Sequence, residues 1–314
     1  MSKLFTNKKE TQLPEQHISN KYKGGMVGKA STVGYLADIA IILIMIISVF
    51  CFIIPIWHVV MASISNGKLL AAHDGLVLIP VGEMTLNGYK LIFSDANVLK
   101  GYMNTLIFVV GATMFGLVLN IIAGYVASRD TMLSKPFTII ILFTMIFNGG
   151  LIPTYMVIRA LGWVGTRWAL LIPGCTHAVY MMIMITAFRT VPEETVEAAR
   201  IDGAGHIRTM VRIMLPQCTS MVTVVVLFSV VQQWNSWFPA SIYLSTKRDL
   251  WPLQLWIKQI VAQNADFLTS TAPDYNRILI QYAVIVAATI PILCAFPFFQ
   301  NHIEKGVLIG GVKG

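Results

Sequence analysis

The chain has 314 residues, of which 56% are apolar and only 12% charged. A soluble domain carries about 25% charged residues, so most of this chain is expected to face lipid. Its formal charge of +8 suits a membrane protein with basic residues gathered on one side better than a nucleic-acid binder; the aromatics sit in apolar runs, not on a base-stacking platform.

Residues 1–34 hold six lysines and two glutamates with Gly24, Gly25 and Gly28, which reads as a solvated basic tail. A bilayer core of about 30 Å needs roughly 20 apolar helical residues, and six runs reach that length. They are Tyr35–Met61, Met103–Ala127, Phe137–Ile158, Trp168–Phe188, Thr219–Leu244 and Ile278–Phe299. The first is too long for a signal-peptide core of about 7–15 residues and is taken as an uncleaved span. Asn148-Gly149-Gly150 and Pro153 interrupt the third run, Pro173-Gly174 the fourth, and Gln232-Gln233-Trp234-Asn235 lies in the fifth. Pro291 and Pro297 lie in the sixth. Such breaks need neighbouring helices to satisfy the backbone in lipid, so a packed bundle around a polar route is expected. The organisation is a tail over 1–34, a six-span domain over 35–300 with a polar loop at 189–218, and a second tail over 301–314.

Both termini fall on one side when the span number is even. That side carries 14 Lys and Arg and the other 9, which places the termini and the 189–218 loop in the cytoplasm. Loops 62–102 and 245–277 then face outward. Cys51, Cys175, Cys218 and Cys294 lie in or beside apolar segments without close spacing and read as small apolar residues. The six histidines are scattered, so no metal site is expected.

The loop at 189–218 is the polar exception. Thr190 and Glu193 have capping-box spacing, Pro192 suits a first helical turn, and Glu193 and Glu194 favour the positive end of a helix. One short helix is predicted to Ile201, ended by Gly203 and Gly205. A second begins near His206, with Ile207, Met210, Val211 and Met214 on one face and Arg208 and Arg212 pointing away. Leu215-Pro216 closes it. Hydrophobic pattern alone allows an amphipathic connector lying in the lipid interface. The other reading is a knob that docks into a cleft on a soluble partner and passes movement to the bundle. Ala198 and Ala199 would let the backbone approach closely, and Glu197 and Asp202 would offer carboxylates.

Glu197, Ala198, Ala199, Gly203, Ile213, Leu215 and Pro216 agree with the E-A-A-x₃-G-x₉-I-x-L-P signature of ATP-binding-cassette (ABC) importer permeases. The segments Phe147–Tyr155, Trp234–Phe238 and Lys305–Gly314 resemble the carbohydrate branch, most of all the LplC-like oligosaccharide permeases. The resemblance implies an all-α membrane protein with the six-helix type I ABC importer fold, sited in a bacterial plasma membrane. It implies a coupling loop of those signature residues with Asp202 and Ala204, seated in an ATPase subunit. It implies partners: a second permease in a heterodimer, two cytoplasmic ATP-binding subunits and an extracellular sugar-binding (lipo)protein, besides membrane lipid and without nucleic acid. ATP and Mg would be held by the ATPase, with no cofactor on this chain, which lacks a phosphate loop. In the maltose-type relatives a similar C-terminal tail enters the ATPase dimer, which points to Gly311, Lys313 and Gly314.

Sugars take polar groups and aromatic faces. Trp234, Asn235 and Trp237 supply both in the fifth run, and Asn148 and Tyr155 around the break in the third. Polar groups within spans usually face a cavity; equally, Trp237 and Tyr155 suit an interfacial belt and Asn148 a helix cap. Loop 245–277 is expected either to contact the binding protein or to form a re-entrant or surface helix packed on the bundle. An ion-coupled secondary transporter is a rival with a single carboxylate near a span, Asp38. A membrane enzyme has no acid pair, His cluster or nucleophile to support it, and a permease for a non-sugar solute differs from the preferred reading only in the branch resemblance.

Overall fold

The computed structural model describes the backbone of residues 24–25, 28–29, 32–267 and 275–311, and the side chains of residues 34–262 and 275–300. Two units separate, Met1–His58 and Val59–Gly314. In the first, Gly24–Gly25 pairs antiparallel with Gly28–Lys29, and helix α1 (Thr32–Ser63) runs out of it. Pro55 lies inside α1. The side chains of α1 from Tyr35 to Trp57 are mostly exposed apolar groups, as a lipid-facing helix requires.

The second unit is a helical bundle. Its elements are α2 (Gly67–Ala71), α3 (Asn87–Ser94), α4 (Ala96–Ser128), α5 (Ser134–Ile146), α6 (Leu151–Ala160), α7 (Trp168–Cys175) and α8 (Ala178–Arg189). These are followed by α9 (Glu193–Ile201), α10 (His206–Arg208), a π-helical turn (Thr209–Met214) and α11 (Leu215–Gln217). The unit ends with α12 (Thr219–Trp234), α13 (Phe238–Tyr243), α14 (Leu253–Phe267) and α15 (Tyr275–Gly311). The long helix α4 is the axis, packing on α7, α8, α12 and α14, while α15 packs on α3, α12 and α14. At Gly116 of α4 a Cβ would collide with the Cys175 carbonyl oxygen. Glycine there lets α4 seat directly on the end of α7, the close approach that small residues give membrane helices.

Among the described residues three helices are long and apolar enough to cross a membrane, Gly34–Ser63, Ala96–Ser128 and Tyr275–Gln300. Three bent pairs bring the number to six, and each bend revises a predicted run. The third run is two helices at 115°; α5, with 13 residues, is only about 20 Å long at 1.5 Å per residue. The turn is set by Gly150 at φ +86° and by the Asn148 side chain, whose Oδ1 accepts from Gly150 N at 2.9 Å. The fourth run bends by 41° at Thr176–His177, with Pro173 still inside α7. The fifth run stops as a helix at Trp234 rather than continuing to Leu244. Pro239 lies in the first turn of α13, so Trp234, Asn235 and Trp237 mark a helix end and not a span interior. At its other end α12 turns through 86° from the segment His206–Gln217. In the 245–277 loop, α14 packs on α4 and α15, as the surface-helix alternative has it. Helix α15 runs unbroken to Gly311, so the predicted 301–314 tail is mostly helix. Lys313 and Gly314 lie outside the described residues.

Candidate coupling hinge and aromatic rim

The hinge helices form where the sequence placed them, with a different start. Pro192 is the N-cap of α9 and no side chain caps it. The Thr190 hydroxyl instead donates back to Ala187 O at 2.7 Å, which removes it from the predicted capping box. Glu193 turns toward Arg129, with Oε2 3.5 Å from a guanidinium nitrogen. The C-terminus of α9 is a Schellman motif. Ala204 N donates to Ala199 O at 2.9 Å and Gly203 N to Arg200 O at 3.0 Å, with Gly203 at φ +72°. Only glycine occupies that left-handed position without strain, which is a local physical reason for the glycine of the signature.

The rear of the hinge is fastened to the bundle. Val196, Met214 and Cys218 are buried with Tyr125, Met184, Ala187 and Phe188, and Met210 and Leu215 pack against them. Ala199 is buried as well. Arg129, just past the end of α4, is 7% exposed; its guanidinium lies 5.6 Å from the Tyr125 ring centroid and donates to Met214 Sδ. The Tyr125 hydroxyl and His206 Nδ1 are 3.1 Å apart, and Cys218 Sγ donates to Ala187 O at 3.2 Å. A charged strap on a hydrophobic base thus ties α9 and the π turn to α4 and α8.

The front of the hinge is bare. Glu197, Ala198, Asp202, Gly203 and Pro216 are exposed, and Ala204 and Ile213 half-buried. Ile201 is 86% and Ile207 77% exposed, so the exposed side of the hinge carries two large apolar side chains together with the carboxylates of Glu197 and Asp202 and the guanidinium groups of Arg200, Arg208 and Arg212. The expected single apolar face of Ile207, Met210, Val211 and Met214 is therefore split. The π turn bonds i to i+5 and widens the helix, and it sends Met210 and Met214 inward while Ile207 and Val211 point out. Ala199 also moves from the expected docking side to the interior. Sequence reasoning missed Ile201 as a surface residue; its place one residue before Asp202-Gly203, at the corner, was the available signal.

The residues expected along a sugar path divide. Trp234 is buried, its indole N–H donating to Ala288 O at 3.1 Å, so in this conformation it packs α12 on α15 and has no free donor. Asn235 and Asn148 are exposed; Asn235 Nδ2 donates to Val231 O at 2.9 Å and Asn148 serves the α5–α6 turn. Tyr155 and Trp237 are brought together on one buried cluster, with Trp256 and Trp163 beside them. Tyr155 stacks on Tyr243 with centroids 6.2 Å apart and rings 10° from parallel. Burial pushes the Tyr243 phenol pKa up. Lys258 Nζ, from α14, lies 3.2 Å from the Trp237 ring centroid. This aromatic rim meets α4 at Gly101, beside Trp256, whereas the hinge meets it at Tyr125. At 1.5 Å per residue the two sites are about 36 Å apart along one helix. Among the described residues no cluster of His, Cys, Asp and Glu is placed to hold a metal ion.

Residues 131–309, more than half of the chain, match the family model described as binding-protein-dependent transport system inner membrane component. The chain is 32% identical over 269 residues to the polygalacturonan/rhamnogalacturonan transport system permease protein YtcP of Bacillus subtilis, covering 83% of this chain and 93% of that one. It is 31% identical over 314 residues to Protein LplC of the same organism, covering 96% and 100%. Among solved structures, a bacterial ABC transporter involved in import of the acidic polysaccharide alginate contains a chain that superposes with TM-score 0.77 at 24% identity, covering 86% of this chain and 98% of that one. The chain, membrane-embedded as its apolar helices require, thus belongs to the binding-protein-dependent inner membrane permeases, in the carbohydrate branch of the ABC importers.

Proposed function

We propose that this permease turns the closure of a separate ATP-hydrolysing pair into a change of access at the aromatic rim, through α4. The observation that carries the reading is the two-sided hinge. Its rear is held by Arg129, Tyr125, Met214 and Cys218, and its front leaves Ile201 and Ile207 exposed, with Glu197 and Asp202 exposed on the same segment. A connector lying in headgroups would keep one continuous apolar stripe; the π turn divides this one between the protein interior and a compact tip. A tip of two isoleucines flanked by exposed carboxylates and by the exposed Arg200, Arg208 and Arg212 suits a cleft with an apolar floor and a rim of both charges. ATP and Mg sit on the two partner ATPases in this scheme, and a second permease completes the pathway. A sugar-loaded binding protein docks at the rim end, which the Lys and Arg bias places outside, with both termini of this chain in the cytoplasm.

In this mechanism the ATPase dimer closes and draws the tips with it. The strap of Arg129 and Glu193 and the shared apolar base carry that displacement into α4 and α8, which move as rigid bodies. The bundle opens at the rim, sugar leaves the binding protein for the cavity, and hydrolysis resets the assembly. Tyr155, Asn235 and Trp237 meet the sugar there, while Asn148 and Trp234 hold the helix ends that frame it. The ATPase contact implied for Gly311, Lys313 and Gly314 begins at the end of helix α15, whose last residue is Gly311; Lys313 and Gly314 lie outside the described residues. For the solute, the 32% identity to a permease named for polygalacturonan and rhamnogalacturonan favours an oligosaccharide carrying uronate carboxylates.

Replacing Glu197 with Lys reverses the charge of an exposed residue at the docking front. The variant is expected to insert normally, lose at least tenfold of ATP-dependent uptake and fail to copurify with the ATPase. Full uptake by that variant would contradict the reading.

A further inference from the structure

We infer that Lys258 and Trp237 together form a recognition element for a uronate residue, in which the lysine reads the carboxylate and the indole the sugar face. The inference rests on the acidic-oligosaccharide reading above. Lys258 is exposed and makes no ion pair with a described carboxylate, unlike Lys100, which pairs with Asp249, and Arg129, which pairs with Glu193. Its ammonium rests instead on the Trp237 ring, 3.2 Å from the centroid. Trp237 is half-buried and packs, as Tyr155 and Trp256 do, against one apolar cluster. The platform is therefore rigid, and the cation over it sits on an adaptable four-carbon stem.

An exposed cation–π contact is weaker than a charge-assisted hydrogen bond to a carboxylate. An arriving uronate thus draws the ammonium off the ring and pairs with it. The same movement uncovers the indole face, on which the C–H face of the pyranose packs. A neutral sugar has to displace the cation while offering it no carboxylate in exchange, so the parked lysine discriminates against it. Recognition and clearing of the platform are one event.

The test is direct binding of trigalacturonate and of its methyl ester to the whole importer in nanodiscs, by calorimetry without the binding protein. The wild type is expected to prefer the free acid by about tenfold, the scale of one charge-assisted contact. Lys258→Met keeps an unbranched apolar stem to pack on the indole but removes the charge, and is expected to lose most of that preference. Lys258→Arg is expected to keep it. Lys90→Met, on the exposed surface of α3, is expected to match the wild type and so controls for overall charge. A wild type without preference for the acid overturns the acidic-solute reading and this assignment with it. A wild type that prefers the acid and a Lys258→Met variant that does so equally overturn the assignment alone.

Discussion

The two ends of α4 are built on different principles. At the hinge end the contacts are mixed and specific: an ion pair at 3.5 Å, a phenol–imidazole contact at 3.1 Å and a thiol donating to a carbonyl, all over a buried apolar base. At the rim end the contacts are flat aromatic faces, with one cation laid over them. The first end resists being pulled apart, as an element that transmits force must. The second offers surfaces that a solute can share and leave. One helix of 33 residues, joining a fastened end to an open one, is what allows work done at a distance to change a pathway.

The comparison breaks most visibly at the hinge tip. Replacing both Ile201 and Ile207 with Asp is expected to leave thermal stability within about 0.5 kcal/mol, since both side chains are solvent-facing. ATPase binding is expected to weaken by about 2 kcal/mol or more, roughly 30-fold, if these are central anchors. Copurification and thermal melting of the detergent-solubilised chain measure the two effects separately. Next comes the strap. Arg129→Ala removes a buried cation, its ion pair and its ring contact, and is expected to destabilise the hinge by about 2 kcal/mol. Glu193→Gln leaves the guanidinium without its counter-charge but acts on a largely exposed carboxylate, so about 1 kcal/mol is expected. Faster amide exchange confined to residues 193–217 is the readout for both.

Gly203→Val sharpens the contrast further. No atom lies within 4 Å of a Cβ built there, so its cost is backbone strain alone, about 1–2 kcal/mol for a left-handed residue. Gly205, at φ −70° and also with open space around it, is expected to accept Ala with less than about 0.5 kcal/mol change in melting. Where α12 packs on α15, Trp234→Phe keeps the buried ring and loses the bond to Ala288 O, worth about 1 kcal/mol, with transport preserved because that indole packs helices.

Much of this was legible in the residues. The six runs located the membrane helices because continuous apolar length is a strong signal. The hinge was visible because a charged segment with Gly203 and Gly205 stands between two such runs. The bends were only half legible. Asn148-Gly149-Gly150 announced a break, but the 115° angle follows from an Asn148 side-chain bond and a positive φ that no hydropathy window records. Pro173 drew the eye, yet the chain bends two residues past Cys175's neighbour Gly174, at Thr176–His177, where packing against α4 decides. The split of Ile207 from Met210 was hidden for a related reason: an i, i+3, i+4 pattern assumes 3.6 residues per turn, and the π turn over Thr209–Met214 departs from it. Arg129 gave no warning either, since a lone arginine after a span reads as a topology signal, and its burial depends on Glu193 arriving from 64 residues later in the sequence.

The central claim is that the tip of the hinge sits in a separate ATP-hydrolysing subunit during transport. A photo-crosslinking amino acid in place of Ile201, in membranes carrying the whole importer, tests it directly. The account predicts an adduct with the ATP-binding subunit under turnover conditions, abolished by Glu197→Lys. Adducts with phospholipid alone, at full transport rate, would contradict it.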